Sequence, residues 1–315
     1  MSSHGGTRAV VAAMAANGFI ALTKFGAWAL TGASSMLAEA VHSVADTGNQ
    51  ALLLFGGRQA KRAATEEHPF GYGRERYISA FLVSIILFSL GGLFALYEAF
   101  HKYEEILAGH PNDLLEGPWW WVPLLVLVAA IIAESLSFRT AIRESIPAKG
   151  RQSWGRFIRT AKSPELPVVL LEDSAALLGL IFALGGVGMT LLTHNGLWDV
   201  AGTALIGLLL IAVAVTLAVE TKSLLVGEAA SPEAVGRIRD ALGATEGVNR
   251  VIHLKTLHLG PEEVLVAAKI AVEPTDSAAR VAEVINAAES AIRAVEPQVT
   301  ALYLEPDIDT ARPGS

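Results

Sequence analysis

Long apolar runs occupy the first two thirds of the chain and limit what it can fold into. A helix needs roughly 17 to 25 residues to cross about 30 Å of hydrocarbon. Runs of this length extend over residues 9–30, 36–57, 78–100, 119–139, 166–193 and 199–219. The sequence therefore predicts an α-helical membrane protein with a six-helix bundle. The first run is expected to be a retained span rather than a signal peptide.

Composition supports a membrane protein and limits which metal ligands and which partners are possible. Hydrophobic residues make up 52% of the 315 positions and charged residues 17%, against about 25% charged in soluble domains. The sequence contains no cysteine, so any metal must be bound by His, carboxylate or carbonyl groups. The formal net charge of -7 argues against nucleic acid as a partner.

Cations are concentrated in two of the connections between the runs. The second connection contains Arg58, Lys61, Arg62, Arg74 and Arg76, and the fourth contains Arg139, Arg143, Lys149, Arg151, Arg156, Arg159 and Lys162. The third has Lys102 as its only Lys or Arg, and the first and fifth have none. The positive-inside rule then predicts a multi-pass protein with both termini in the cytoplasm, and we expect it in the cell (inner) membrane.

After Val219 the pattern becomes that of a small soluble domain. Ser231 and Pro232 begin one helix, and residues 277–295 form a second amphipathic helix. Strands are predicted at 248–259, 263–272 and 299–304, and the tail from Pro306 is expected to be disordered. The predicted domains are a transport domain at 1–222 and a cytoplasmic α+β (ferredoxin-like) domain at 223–315.

A stripe of polar residues interrupts the second apolar run. His42 and Asp46 are four residues apart and therefore share a helix face, and Glu39 and Asn49 extend the stripe. An Asp at the centre of a bilayer costs about 2.5–3.5 kcal/mol. Imidazole and carboxylate at this spacing are suitable ligands for a divalent transition metal. A helix N-terminus or hydrogen bonds between helices would also explain the stripe.

A second polar island, Glu172-Asp173, lies in the fifth run. Adjacent residues do not share a helix face, so we expect one of them, preferably Asp173, to point into the bundle. A helix cap is the alternative, because Pro164 and Pro167 lie just upstream. His42, Asp46 and Asp173 would supply three ligands. Glu172, Asn49 or water would supply a fourth.

This ligand set predicts a mechanism. Two carboxylates and a neutral imidazole balance the charge of a divalent cation, and protonation of His42 would expel it. Metal and protons would then compete for one site that faces each side of the membrane in turn. The metal is cargo, and no cofactor is expected.

Other intramembrane residues are expected to be structural. Lys24 is expected to be paired or to snorkel, with Glu98 and Glu134 as its partners or as steps on a proton path. Hydrogen bonds between helices are expected from Ser135 and Ser137, and close packing from Gly91, Gly92, Gly179, Gly185 and Gly186.

From Asn17 to about Pro306 the sequence resembles the cation diffusion facilitator family of metal/proton antiporters. The resemblance rests on Asn17 and Lys24, on SSMLAEAVHSVADTGNQ at 34–50, and on HPFGYGRERY at 68–77, which is similar to the family's His-Pro-Tyr-Gly-His-Gly-Lys-x-Glu segment. It implies that His42 and Asp46 occupy the paired transport-site positions of the second helix. It also implies a homodimer.

The chain departs from the family pattern at three places. Val169 stands where the family usually has His or Asp, and the adjacent Glu172-Asp173 resembles the branch that contains the mitochondrial zinc transporter nine. In the second connection His68 is kept as a candidate accessory metal ligand, but Tyr72 replaces the second His. The soluble domain has Ile252, Ala268, Tyr303 and Glu305 at the positions of the family's metal ligands, so no binuclear zinc site is expected there.

The leading hypothesis is a proton-coupled divalent-cation transporter that exports zinc from the cytoplasm through a lipid bilayer. Manganese or ferrous iron remains open as the cargo, because a carboxylate-rich site is harder than a His-rich one. An intramembrane metalloenzyme is the second class, although no H-E-x-x-H helix or activated Ser/His pair is present, so we expect no enzyme. A membrane scaffold, in which the polar stripe only joins helices, is the third.

Overall fold

The computed structural model describes the backbone of residues 3–110 and 113–308 and the side chains of residues 17–110 and 114–308. The chain forms two compact units. The membrane unit comprises Met1–Gly56 and Ile78–Thr221, and the C-terminal unit comprises Gly57–Tyr77 and Lys222–Ser315. The second connection thus groups with the C-terminal residues, which the sequence did not predict. The domain division at 222/223 stays a prediction.

Six long helices account for most of the membrane unit. They are α1 (Ser3–Thr31), α2 (Ser34–Gln59), α3 (Glu75–Leu107), α4 (Val122–Lys149), α5 (Glu165–Thr193) and α6 (Leu197–Val226). Within the described ranges, α3 to α6 are the four that are long and apolar enough to cross a membrane. α2 has the length but carries the polar stripe in its middle, so the count of six spans stays a prediction.

The start of α2 is anchored to α6. The backbone N–H and the hydroxyl of Ser34 donate to Oδ2 of Asp199 at 2.8 and 3.0 Å, and the Ser35 hydroxyl donates to Oδ1. Asp199 is only 2% exposed. A carboxylate at a helix N-terminus satisfies orphan donors and complements the helix dipole, so Asp199 fixes the position at which α2 begins.

α5 and α6 approach closely at glycine. A Cβ added to Gly186 would lie 2.9 Å from the carbonyl oxygen of Trp198, which is closer than real Cβ atoms approach. The expectation of close packing is wrong for Gly185, because a Cβ there would meet nothing within 4 Å. Small residues at such crossings let helix backbones approach.

A π-helical segment, Leu87–Leu93, interrupts α3. It contains Gly91 and Gly92, which are buried and face Leu210 and Ile211 of α6. Single π turns inside α-helices carry i→i+5 hydrogen bonds and widen the helix locally. The segment therefore includes a point of close contact between α3 and α6.

The C-terminal unit has the predicted α+β fold. Its elements are α7 (Pro232–Gly243), β1 (Arg250–Gly260), β2 (Glu263–Val272), α8 (Ala278–Val295) and β3 (Val299–Ile308). β1 pairs with β2 antiparallel and β2 with β3 parallel, in the order β1-β2-β3. The expectation of disorder from Pro306 is wrong for residues 306–308, which belong to β3; residues 309–315 lie outside the described residues.

The core of this domain forms between the sheet and its two helices. Ile238 and Leu242 of α7, Ile292 of α8 and Ile270 of β2 are each completely buried. Both helices begin at a serine, since the hydroxyls of Ser231 and Ser277 accept backbone N–H groups of the first turn. Capping and periodic apolar residues therefore define these helices together.

Candidate metal centre

A small cavity inside the membrane unit is lined by three of the six predicted metal ligands. Its volume is about 30 Å³, and its lining includes Asp46 from α2 and Glu172 and Asp173 from α5. The other lining residues are Asn17, Ile20, Ser43, Gln50, Glu134, Ser137 and Val169. A space of this size holds one or two water molecules or an ion.

Both acids of the α5 pair line this cavity. The expectation that only one would face the bundle interior is wrong, because Glu172 and Asp173 are 5% and 8% exposed and flank the same space. Consecutive residues project about 100° apart on a helix, so one cavity can touch both. The helix-cap alternative is also wrong, because α5 begins at Glu165 and the pair lies about two turns inside it.

Each of these acids is held by a polar side chain from a neighbouring helix. Asn49 Nδ2 donates to Glu172 Oε1 at 2.7 Å, and the Ser137 hydroxyl donates to Asp173 Oδ2 at 3.0 Å. Asn49 is fully buried. Because α2 supplies Asn49 and α4 supplies Ser137, the two carboxylates connect α5 to both helices. The expected interhelical bond of Ser135 is wrong, since its hydroxyl donates to Ile131 O of its own helix.

His42 is buried beside the cavity rather than in its wall. Its Nδ1 lies 3.5 Å from Asp46 Oδ1, and its side chain is 1% exposed. Among the described residues, neither ring nitrogen nor Asp46 Oδ1 has a hydrogen-bond partner. Buried polar atoms are nearly always satisfied in proteins, and an ion is one explanation for exceptions. The residues present therefore fit a cation.

Lys24 neutralises Glu39, the first residue of the polar stripe. The Lys24 ammonium lies 2.9 Å from Glu39 Oε2 and donates to the Ser43 hydroxyl at 2.8 Å. Both members of the ion pair are buried. The expectation that Glu98 or Glu134 would pair with Lys24 is therefore wrong. Oε2 of Glu39 is committed to this pair, whereas Oε1 is buried without a hydrogen-bond partner among the described residues, and Glu39 does not line the cavity.

The side chains are not arranged as a finished coordination sphere. Within residues 17–110 and 114–308, no three His, Asp or Glu side chains are placed so that they could hold a metal ion as they stand. Glu172 and Asp173 are turned toward Asn49 and Ser137. Binding a cation would exchange these hydrogen bonds for metal contacts through rotation of the side chains.

His68 lies in the C-terminal unit, in the connection between α2 and α3, and does not line the cavity. It is exposed, and its ring meets that of Tyr72 edge-on with centroids 4.7 Å apart. Its backbone N–H donates to the Thr65 hydroxyl at 3.1 Å. These contacts order the connection, and a role for His68 in metal binding stays a prediction.

Sequence reasoning missed several residues of the cavity wall. Gln50 follows Asp46 by four residues, so the spacing that joined His42 to Asp46 also reaches Gln50. Glu134 stands out in the sequence as an acid inside an apolar run, but its expected roles were a partner for Lys24 or a step on a proton path. Asn17 entered only through the family resemblance. Ser137 was expected to join helices, and its interhelical bond lies in the cavity wall.

The fold and the cavity define a multi-pass helical membrane protein in which acids from different helices surround one small polar space. Two family models match the chain, one for each part. Residues 10–226 match the model described as "Cation efflux transmembrane domain", and residues 230–306 match the model described as "Cation efflux protein, cytoplasmic domain". The chain belongs to the cation efflux, or cation diffusion facilitator, family. The resemblance found from its motifs is thereby confirmed, and the family consists of transporters rather than enzymes.

Individual relatives agree with this membership. The chain is 33% identical over 273 residues to the Xenopus laevis protein named "Proton-coupled zinc antiporter SLC30A9, mitochondrial", covering 86% of this chain and 47% of that protein. It is 28% identical to metal tolerance protein C4 of Arabidopsis thaliana, covering 81% and 54%. It thus spans about half the length of these curated relatives. A solved MamM C-terminal domain is 22% identical over 24% of this chain and 95% of that one, with a TM-score of 0.23.

Proposed function

We propose that this chain exchanges a divalent metal cation for protons across a membrane by alternating access, with zinc as the cation and export from the cytoplasm as the direction. The observation that supports the proposal most is the convergence of Asp46, Glu172 and Asp173 on one cavity in the membrane unit. The names of the SLC30A9 relatives support zinc and protons as the exchanged ions.

The residues of α2 and α5 divide the work of binding. Asp46, Glu172 and Asp173 supply negative charge that a dication neutralises, and His42, which already lies beside Asp46, adds a nitrogen ligand when its ring turns into the cavity. Asn49 holds Glu172 in place until the cation arrives, or adds a carbonyl oxygen. Protons that reach the same carboxylates and imidazole compensate the charge after the cation leaves.

Manganese or ferrous iron is the second candidate for the cargo. The polar residues that line the cavity present oxygen or amide groups, whereas the imidazole of His42 lies outside its wall. Carboxylate and carbonyl oxygens suit harder cations than imidazole does. This observation favours a broader cation range than a His-rich site would give.

The assembly follows from the same family membership. We propose a homodimer joined through the C-terminal domain, with domains divided at 222/223 and both termini in the cytoplasm. The description of the second family model as a cytoplasmic domain supports this orientation. The cell (inner) membrane is the proposed location, and His68 is the proposed accessory ligand on the cytoplasmic side.

Transport by the reconstituted full chain tests the proposal. Proteoliposomes with a pH gradient should accumulate zinc, and His42→Ala and Asp46→Ala should abolish that uptake while the purified proteins keep their elution profile. Glu144→Ala provides the control, since Glu144 is exposed on α4 outside the cavity. Undiminished uptake by both site variants would remove these residues from the mechanism.

Two further measurements separate the alternatives. A panel of zinc, manganese and ferrous iron at two pH values identifies the preferred cargo and shows whether protons compete with it. Equilibrium zinc binding distinguishes a transporter from a scaffold, because a scaffold would show no saturable binding that Asp46→Ala removes.

A further inference from the structure

Glu134 brings a third helix to the cavity. It lies on α4, which packs along α5, and its side chain lines the same space as Asp46, Glu172 and Asp173. The charges of Asp173 and Asp46 are within electrostatic range of it. The charge of Lys24 also reaches Glu134, but the Lys24 ammonium donates its hydrogen bonds to Glu39 and Ser43. Four carboxyl groups from three helices therefore share a volume of about 30 Å³.

Such a group of acids is not explained by packing. Like charges in a low-dielectric interior repel strongly, and an uncompensated buried charge is costly. Two oxygens of the lining residues add to this energetic cost, since Asp46 Oδ1 and Gln50 Oε1 are buried without a hydrogen-bond partner among the described residues. The completely buried imidazole beside Asp46 is likewise unpartnered. A cation in the cavity would compensate the negative charge and give the unpartnered oxygens that line it a ligand role.

One face of α4 carries two polar residues that line the cavity. Glu134 and Ser137 are three residues apart and lie on one face of the helix. Ser137 already reaches across to Asp173 at 3.0 Å. The same face thus presents one residue that orients an α5 carboxylate and a second carboxylate of its own.

We infer that Glu134 is a direct ligand of the transported cation, so that the transport site is completed by α4 and is not confined to α2 and α5. This inference rests on the proposed function. Glu134 takes the place that Val169 leaves open on α5, because Val169 lines the cavity but offers no ligand. The site is then rich in oxygen.

Zinc binding to the purified full chain tests the inference, with calorimetry as the readout. Glu134→Gln keeps the shape of the side chain and removes its charge, and it should weaken zinc binding by at least about tenfold, because even residues that only orient metal ligands cost roughly 10–100-fold in affinity when they are changed. Glu144→Gln makes the same change ten residues along α4 at an exposed position, and its affinity should equal that of the unsubstituted protein. Equal affinity in Glu134→Gln and Glu144→Gln would overturn the inference.

A second experiment needs no variant. A hydrophobic carbodiimide modifies accessible carboxyl groups, and peptide mass spectrometry locates the products. Zinc should protect Glu134 in the unsubstituted protein and leave Glu144 unaffected. Lack of protection at Glu134 under conditions that protect Asp46 would overturn the inference even if Glu134→Gln failed to fold.

The outcomes also separate this inference from the proposed function. If the unsubstituted protein binds and transports zinc but Glu134 responds like Glu144, only the ligand assignment fails. If the unsubstituted protein shows neither saturable binding nor transport of zinc, manganese or ferrous iron, the proposed function fails and the inference fails with it.

Discussion

The side-chain amide of Asn49 lies 2.7 Å from the Oε1 atom of Glu172, although 123 residues separate the two along the chain. Both residues are buried, at 0% and 5% exposure. This single bond ties the helix that carries His42 and Asp46 to the helix that carries Asp173. It also holds one of the proposed ligands in a fixed orientation.

Removing the Asn49 amide should therefore destabilise the membrane unit. Asn49→Ala leaves the Glu172 carboxyl without its donor, and an unsatisfied buried group costs about 1–3 kcal/mol, more when it is charged. Thermal unfolding of the purified protein measures the loss. Asn249→Ala is the matched control, because Asn249 donates to Glu273 at 2.9 Å in an exposed pair. A loss as small as that of the control would show that the Asn49 bond does not order α2 and α5.

Removing one member of the Lys24–Glu39 ion pair should destabilise the protein more than removing both members together. Lys24→Met leaves the buried Glu39 carboxylate without its cation, which typically costs about 3–5 kcal/mol. The double variant Lys24→Met/Glu39→Gln removes both charges and should recover much of that loss. Denaturant titrations in detergent measure the free energy of unfolding of the unsubstituted protein, the two single variants Lys24→Met and Glu39→Gln, and the double variant, which together form a double-mutant cycle.

The control for this cycle is Arg280→Met, because Arg280 pairs with Glu283 at 3.2 Å in the C-terminal domain and the two side chains are 40% and 68% exposed. Exposed ion pairs contribute little to stability. Additive losses in the Lys24 and Glu39 variants would contradict a coupled pair.

Replacing either of two adjacent glycines of α5 by alanine should change the stability of the protein in opposite directions. Gly186→Ala places a Cβ 2.9 Å from the Trp198 carbonyl oxygen, which belongs to the backbone of α6 and cannot move away cheaply. Gly185→Ala meets nothing within 4 Å and should gain up to about 1 kcal/mol of helix propensity. Thermal stability compares the two variants directly. Equal effects would show that α5 and α6 are not in close backbone contact at Gly186.

The stability of the C-terminal domain should depend on the protonation of Glu263. Burial, and secondly the neighbouring charge of Glu262, raise the pKa of Glu263 above its ordinary value of 4.5. The folded state therefore holds this proton more tightly than the unfolded chain does. Its contribution to stability is present below pH 4.5 and is lost as pH rises through the raised pKa.

Glu263→Gln removes this titration and should flatten that part of the stability profile, measured by denaturant unfolding across pH 4 to 7. Glutamine resembles the protonated side chain, so the variant should equal the unsubstituted protein near pH 4 and exceed it near pH 7. An unchanged slope would show that another group dominates the profile in this range.

The sequence predicted the features that depend on periodicity and composition. Apolar runs predicted the long helices, and alternating or capped patterns predicted β1, β2, α7 and α8 to within a few residues. The second strand of the hairpin began and ended where expected, at 263 and 272. The spacing of His42 and Asp46 pointed to the part of α2 at which Asp46 lines the cavity; their role as ligands stays a prediction.

What sequence could not give were relationships that depend on three-dimensional packing. Nothing local says that Lys24 meets Glu39 rather than Glu134, because the choice depends on how α1 and α2 rotate against each other. The adjacent Glu172 and Asp173 were expected to face different ways, yet a cavity at the meeting of several helices can touch both. The cap of α2 by Asp199 joins residues 165 positions apart, and no spacing rule reports such a contact.

The π segment of α3 has a consequence for chain length. A π turn accommodates about one residue more than an α turn, so Leu87–Leu93 holds a residue that a regular helix would not need. A version of the chain one residue shorter between Leu87 and Ser89 could continue as uninterrupted α-helix while Gly91 and Gly92 kept their places against α6. The middle of α3 is thus a position at which the chain can gain or lose one residue within the bilayer. Elsewhere the length of a spanning helix is fixed by the thickness of the lipid.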